Sequence, residues 1–192
     1  NGSALTVRNE INSVADLGGK TVAIPFWYSI HNILLQKLLT ANKLTVVTRA
    51  RGAALKPNEV NLVVLAPSEM VSALATKSIA GYIVAEPFNA AAENARIGKV
   101  LRFSGDVWKD HACCVTFLAE RDLNDRPEWS QRVTNAIVGA QLWSRSNQLE
   151  TAKLLANTGP NKYTPHNLQA LTKVLATTDY SEYEKRRIVA HP

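Results

Sequence analysis

The stretch TVAIPFWYSIHNILLQKLL, residues 21–39, joins a hydrophobic strand directly to a hydrophobic helix. Residues 21–26 are β-branched or apolar, which is typical of a buried strand. Ser29 is a suitable N-cap for the helix that follows, because apolar residues then recur mostly three and four positions apart. A strand that runs at once into an amphipathic helix favours an α/β fold, in which helices cover a sheet.

The same alternation extends outward from this stretch over residues 12–105. Strands are predicted at residues 4–11, 21–26, 60–65, 80–85 and 99–103, and the intervening segments have helix starts at Ser29, Pro67 and Glu86. Alternating strands and helices predict a parallel or mixed sheet with helices on its faces.

The chain changes character near residue 112. The segment ACCVTFLAERDL, residues 112–123, predicts a long strand, in which the side chains of Cys113 and Cys114 face opposite ways. Beyond it, the sequence predicts three helices and no further strand. We expect Asp125 to cap the first of these helices and Thr164 to cap the third.

Composition bounds the possible functions. The chain has 192 residues, of which 46% are hydrophobic and 20% charged, as in globular proteins. No apolar run reaches the roughly 18 residues of a membrane helix. The net charge of +6 favours anionic partners in general. The densest basic cluster of the chain is at residues 184–187. It is better interpreted as a solvated helix end than as a nucleic-acid surface, so we expect no nucleic-acid partner.

The sequence lacks the common catalytic and cofactor motifs. The tetrapeptide GGKT, residues 18–21, imitates a phosphate-binding loop, but Val14 stands where that loop needs glycine, and the strand follows the motif. There is no GxSxG, no HExxH and no Cys/His spacing typical of zinc. We therefore expect no catalytic residues, no metal ligands and no cofactor, although Cys113 with a histidine leaves a nucleophile pair open.

The strand-to-helix joint is the first candidate site, and its residues are Trp27, Tyr28, Ser29 and His31. The first N–H groups of a helix lack partners and carry partial positive charge, so this joint suits an anion. Ser29 and His31 can add hydrogen bonds, while Trp27 and Tyr28 can exclude water. The alternative is that Ser29 only caps the helix and His31 is a packed or surface histidine.

Two further stretches contain candidate ligand-binding residues. Glu86 lies at a second strand-to-helix joint, where it can accept a hydrogen bond from a ligand, hold a hinge residue, or serve as a helix-start carboxylate. Trp108 and Lys109 lie in a loop before residues 112–123, and Lys109 can supply a positive charge to an anion. The alternative for Lys109 is a solvated pair with Asp110, which contributes little energy.

Four stretches, taken in order, resemble the substrate-binding proteins of nitrate, sulfonate and bicarbonate ABC importers. They are GGKTVAIPFWYSIHNILLQKLL, LAPSEMVSAL, AGYIVAEPFNAAAE and DVWKDHACCVTFLAERDL. The similarity runs through about residues 4–176, and it is strongest to the nitrate/bicarbonate branch. In those relatives the serine-histidine joint faces a cleft and contacts an oxyanion, so the resemblance places Ser29 and His31 at a ligand.

The resemblance implies a periplasmic-binding-protein-like fold of two α/β lobes, joined by two crossing strands. Residues 1–11 would be a hinge strand of lobe 1, residues 12–110 would form lobe 2, and residues 111–192 would be the second hinge strand with the helical C-terminal part of lobe 1. The N-terminal half of lobe 1 is absent from this chain. A fragment, a second chain that supplies the rest, and a molecule without ligand closure are the open explanations.

The function that the resemblance implies is solute capture for an ABC importer, without catalysis. The ligand would be a small anion such as nitrate, a sulfonate or bicarbonate, and the partners would be the membrane permease subunits. A second copy of the chain could cover the truncated lobe. The implied location is periplasmic or extracellular with a lipid anchor, the signal segment lying outside this chain. A cytosolic sensor of the same fold and a protein of thiamine-pyrimidine synthesis are the alternatives.

Overall fold

The computed structural model describes residues 3–50, 52–109, 111–158 and 161–175. Contacts along the chain divide it into two compact units. The described residues of the first unit lie within 3–111, and those of the second lie within 112–175. The assignment of the two units to the lobes of a binding protein stays a prediction. None of the helices in the described ranges combines the length and apolarity that crossing a membrane requires.

The first unit alternates strands and helices, which confirms the predicted α/β class. Its elements are β1 (Ala4–Val7), a 3-10 helix (Ala15–Leu17), β2 (Lys20–Ile24), α1 (Ile30–Ala41), β3 (Thr45–Val47), β4 (Glu59–Val64), α2 (Pro67–Ala75), β5 (Gly81–Val84), α3 (Phe88–Asn94), β6 (Lys99–Phe103) and α4 (Ser104–Val107). All five predicted strands of this unit are present. β3 was not predicted, because a strand of three residues is too short to show a periodic pattern.

All six strands form one sheet in the order β3-β4-β2-β5-β1-β6. β1 is antiparallel to both of its neighbours, and β2 is parallel to β4 and β5. Ala4 at the start of β1 pairs with Val84 at the end of β5 and with Phe103 at the end of β6. The carboxyl ends of β2, β4, β5 and β6 therefore share one edge with the start of β1. We call this edge the carboxyl edge.

Apolar side chains cover both faces of the sheet. On one face, Leu34, Leu35 and Leu39 of α1 pack against the buried side chains of β1, β2 and β4. On the other, Met70 and Leu74 of α2 join a cluster with residues of β2 and β5. Full burial of each such side chain contributes about 1.5–3 kcal/mol. Because both faces of the sheet are covered, the sequences of its strands are nearly continuous runs of hydrophobic residues.

Gly81 permits the close pairing of β5 with β1. A Cβ atom at this position would lie 2.8 Å from the carbonyl oxygen of Thr6 and 2.9 Å from a side-chain carbon of Val7. Real Cβ atoms do not approach a backbone oxygen so closely. The glycine is therefore required by the packing of neighbouring backbone, not by a turn.

The second unit is helical in its described residues. It contains α5 (Glu120–Asp125), α6 (Pro127–Ser146), α7 (Gln148–Leu155) and α8 (Leu168–Leu175). Ala152 and Ala156 pack against Leu171 in a small core between α7 and α8. Much of α6 is exposed, including the large apolar side chains of Leu142 and Trp143.

Both predicted caps in this unit are wrong. Asp125 lies inside α5, and Arg126 is the residue that precedes α6. Thr164 instead donates its hydroxyl hydrogen to the carbonyl oxygen of Leu155. The third predicted helix begins later, where the side-chain oxygen of Asn167 accepts a hydrogen bond from the N–H of Ala170.

The strand predicted over residues 112–123 is also wrong. Residues 111–119 have no regular secondary structure, and the following residues form α5. A strand needs a neighbouring strand to which it can hydrogen-bond, and apolar composition alone cannot provide that neighbour. Because the segment is irregular, the sulfur atoms of Cys113 and Cys114 lie only 3.8 Å apart and do not face opposite ways.

Candidate functional site

The connection between β2 and α1 lies at the carboxyl edge, and Ser29 fixes its geometry. The Ser29 hydroxyl oxygen accepts a hydrogen bond from the N–H of Asn32 at 3.1 Å. The same hydroxyl donates to the carbonyl oxygen of Phe26 at 2.8 Å. Ser29 is thus the predicted N-cap of α1, and its buried side chain links the end of the connection to the first turn of the helix.

Asn32 adds a second set of hydrogen bonds to the same turn. Its side-chain N–H donates to the carbonyl oxygen of Trp27 at 2.6 Å, and its side-chain oxygen accepts from Gln36 at 2.9 Å. Sequence reasoning missed Asn32, although its position three residues after the cap resembles that of the glutamate in a capping box. The connection is therefore held from both ends of the turn.

His31 is buried against the start of β1. Its Nε2 atom lies 3.0 Å from the hydroxyl oxygen of Ser3, and the side chain is 8% exposed. Loss of hydration on burial, with a smaller repulsion from His111, lowers the pKa of His31 from 6.5 to about 4. The imidazole is consequently neutral at neutral pH, when it can donate one hydrogen bond and accept another.

Ser3 connects three elements at the carboxyl edge. Its hydroxyl contacts His31 in α1, and its carbonyl oxygen accepts a hydrogen bond from the N–H of Ser104 at 2.8 Å. Ser104 begins α4, directly after β6. Ser3 was not predicted as a site residue, because it belongs to no local motif and meets His31 only through the sheet topology.

The aromatic residues of the connection are exposed. Trp27 is 42% exposed and Tyr28 is 89% exposed, while the rings of Phe26 and Tyr28 lie 5.9 Å apart. An apolar surface beside a capped helix start is an arrangement that can exclude water from a bound solute. The helix start itself offers partial positive charge.

Residues 4–158 match the family model described as NMT1-like family. The chain belongs to the NMT1-like family. The nitrate/nitrite binding protein NrtA of Nostoc is 25% identical over 186 residues, which cover 94% of this chain and 39% of that protein. The bicarbonate transport ATP-binding protein CmpC of Synechococcus elongatus is 30% identical over 131 residues, which cover 68% of this chain and 17% of that protein.

Solved structures show the same fold. The periplasmic nitrate-binding protein NrtA from Synechocystis superposes with a TM-score of 0.69 at 18% identity, over 88% of this chain and 45% of that one. The periplasmic aliphatic sulphonate binding protein SsuA from Escherichia coli gives a TM-score of 0.67 at 20% identity, over 91% and 51%. The predicted resemblance and the binding-protein fold are confirmed. The chain spans about two fifths of NrtA from Nostoc and roughly half of the solved structures.

In this NMT1-like chain, the predicted stretch that contains Trp108 and Lys109 approaches the β2–α1 joint through two histidines. The imidazole of His111 is close enough to that of His31 to lower its pKa, and it lies 6.5 Å from the indole of Trp108 between ring centroids. His111 is buried, whereas Trp108 and Lys109 are exposed. His111 was not among the predicted ligand-binding residues.

Glu86 takes the helix-start position that was one of its three predicted roles. Its carboxylate oxygen accepts a hydrogen bond from the N–H of Ala90 at 3.0 Å, in the first turn of α3. This strand-to-helix joint follows β5, the neighbour of β2, so it also lies at the carboxyl edge. Ligand contact by Glu86 and by the other predicted residues stays a prediction.

Proposed function

We propose that this protein is the solute-binding component of an ABC importer, which captures a small anion and performs no catalysis. Membership of the NMT1-like family and the fold shared with NrtA and SsuA support the proposal. The relatives named above carry the names of solute-binding proteins and of a bicarbonate transport ATP-binding protein. In sheets of this kind, ligands bind beyond the carboxyl ends of the strands.

The position of the α1 start carries the proposal. Ser29 and Asn32 fix this start at the carboxyl edge, and α1 has 12 residues, long enough for a substantial helix dipole. The anion is held by the N–H groups of the first turn that Ser29 does not cap, and by His31, while Ser29 keeps the turn in place. Trp27 and Tyr28 then exclude water from the ion.

Two outer groups complete the proposed site. The exposed ammonium group of Lys109 supplies positive charge to the bound anion. Trp108 adds an apolar surface next to His111. Glu86 shapes the neighbouring joint through its hydrogen bond to Ala90, so its carboxylate does not have to face the anion.

The neutral state of His31 gives the site a definite chemistry. A neutral imidazole binds an oxyanion through a hydrogen bond, and removal of that bond costs about 1–3 kcal/mol when the partner is buried. An anion that approaches His31 also favours the protonated imidazole, so binding raises the low pKa of this residue. Affinity should therefore increase as the pH falls toward the pKa of the free protein.

Calorimetric titration and thermal unfolding with nitrate, bicarbonate, methanesulfonate and chloride at constant ionic strength test the proposal. We expect saturable binding of at least one oxyanion and a matching rise in Tm, with chloride as the reference. The His31→Ala variant should bind about tenfold or more weakly, and the His166→Ala variant in the second unit should bind normally. Absence of any oxyanion-specific stabilisation would refute anion capture by this chain.

We also propose the partners and the location that fit this role. The two units would belong to the two lobes of a binding protein that is periplasmic, or extracellular with a lipid anchor. This binding protein would deliver its solute to the permease subunits in the membrane. Leu142 and Trp143 of α6 are large apolar side chains that are exposed to solvent. Their exposure supports an oligomer in which a second chain covers them. Sedimentation velocity at increasing protein concentration would detect such an oligomer, and a constant monomer mass would exclude it.

A further inference from the structure

The thiols of Cys113 and Cys114 form an adjacent pair outside the proposed anion site. Cys113 is half-buried and Cys114 is exposed, and their sulfur atoms are 3.8 Å apart. In a regular strand, consecutive side chains point to opposite faces, so two neighbouring sulfurs diverge. The irregular backbone of residues 111–119 is what turns both thiols the same way.

The separation of the sulfur atoms matches a metal chelate. Two thiolates bound to one tetrahedral zinc ion, at about 2.3 Å each, lie about 3.8 Å from one another. That value is the distance between the two sulfurs in this protein. The pair can therefore bind such an ion without moving either sulfur relative to the other.

A disulfide fits the same pair less well. A disulfide requires the sulfurs to approach to about 2.05 Å and usually joins Cα atoms about 4.4–6.8 Å apart. Adjacent Cα atoms across a trans peptide are only about 3.8 Å apart, so a bridge between them is strained and readily reduced. The geometry thus favours two thiols acting together on an external atom over a bond between them.

We propose that Cys113 and Cys114 form a bidentate thiolate site for a thiophilic cation of the zinc type. Soft thiolate ligands select ions such as Zn²⁺ and Cu(I) over hard cations. In the described part of the chain, no group of three or more His, Cys, Asp and Glu residues is arranged to hold a metal. The pair therefore supplies two of four ligands, and water or an external ligand fills the other positions.

Binding at this site releases protons. The reaction converts two thiols and one hydrated dication into a dithiolate chelate and two released protons, with no change of oxidation state.

Titration of the reduced 192-residue chain with zinc chloride, under argon and in two buffers of different ionisation enthalpy, tests the proposal. We expect one zinc ion per chain and release of about two protons. Replacement of either cysteine, Cys113→Ser or Cys114→Ser, removes the chelate and should weaken binding by about a hundredfold. The double variant Cys113→Ser/Cys114→Ser gives the background from histidines, and its circular dichroism should equal that of the parent.

Two results would overturn the dithiolate site. One is equal zinc affinity in the parent and in either single variant, which would mean that the sulfurs do not act together. The other is zinc binding in the parent no stronger than in the double variant, which would leave adventitious ligands only. Neither result depends on anion capture, because the anion titrations are made without zinc and do not involve the cysteines.

Discussion

The Nε2 atom of His31 and the hydroxyl oxygen of Ser3 lie 3.0 Å apart, and both side chains are buried. This contact ties the first turn of α1 to the residue that precedes β1. The start of α1 is thereby fixed by the residue next to β1, an inner strand of the sheet, as well as by its own cap. A binding surface on this turn is preorganised, which reduces the entropy that a ligand must lose on binding.

Stability should fall as the pH drops from 6.5 toward 4, because the pKa of His31 is about 4 in the folded protein and 6.5 in the unfolded chain. Between these values the unfolded chain binds more protons, so protonation favours unfolding. The difference corresponds to a loss of order 3 kcal/mol at the acid end. Urea unfolding across this range measures it.

The His31→Gln variant isolates the contribution of this residue, since glutamine retains a hydrogen-bonding group and does not titrate. The variant should have a shallower dependence of unfolding free energy on pH than the parent. Burial lowers the pKa of His166 too, so His166→Gln should reduce the slope in the same sense, and part of the slope that remains in His31→Gln comes from His166. A parental slope in His31→Gln would show that His31 is not the titrating group.

Loss of the Ser29 hydroxyl should destabilise the first unit. Ser29→Ala removes the acceptor for the N–H of Asn32 and should cost about 0.5–2 kcal/mol of unfolding free energy. Ser68 is exposed in α2, where no side chain caps the helix, so Ser68→Ala should have little effect. Equal losses in the two variants, measured by urea unfolding, would contradict the capping role.

Two glycine-to-alanine substitutions should change the stability of the protein in opposite directions. Gly81→Ala places a Cβ atom against the backbone of β1 and should destabilise the protein by about 1–3 kcal/mol. Gly139 lies in α6 with open space around it, so Gly139→Ala should stabilise the helix by about 0.5–1 kcal/mol. Thermal unfolding followed by circular dichroism compares both with the parent, and a stable Gly81→Ala variant would argue against the close pairing.

Substitution of the exposed Tyr28 should weaken anion binding and leave the stability of the protein nearly unchanged. Because the side chain is 89% exposed, Tyr28→Ala should change unfolding free energy by less than about 0.5 kcal/mol. Under the proposed function, the same variant should bind its anion more weakly by about 1 kcal/mol, as water enters the site. Tyr163→Ala, at an exposed tyrosine of the second unit, is the control, and equal affinity in all three proteins would remove Tyr28 from the site.

The sequence predicted the features of this protein that depend on neighbouring residues. The β2–α1 joint was predicted because both elements have periodic patterns and Ser29 has the chemistry of a cap. The contact between Ser3 and His31 was not, since these residues are 28 positions apart and meet only through the order of the strands. Burial of His31, and therefore its neutral state, depends on that same long-range arrangement.

The wrong strand at residues 112–123 has a related cause. Its composition is compatible with a strand, but the partner that a strand requires lies elsewhere in the chain and leaves no local pattern. The prediction that Cys113 and Cys114 diverge failed with it, because side-chain alternation follows from regular pairing. Cap assignments at Asp125 and Thr164 failed because each helix start also depends on contacts outside its own turn.

β1 lies between two strands that are synthesised long after it, and this order restricts how the molecule can assemble. While the chain leaves the ribosome, residues 4–7 have no partner until residues 81–84 appear, and their second partner, residues 99–103, comes later still. Formation of such distant contacts is slow, since a long loop must close first. Residues 4–7 therefore stay an unpaired apolar segment while residues 8–80 are synthesised, the period in which a chaperone would protect them from aggregation.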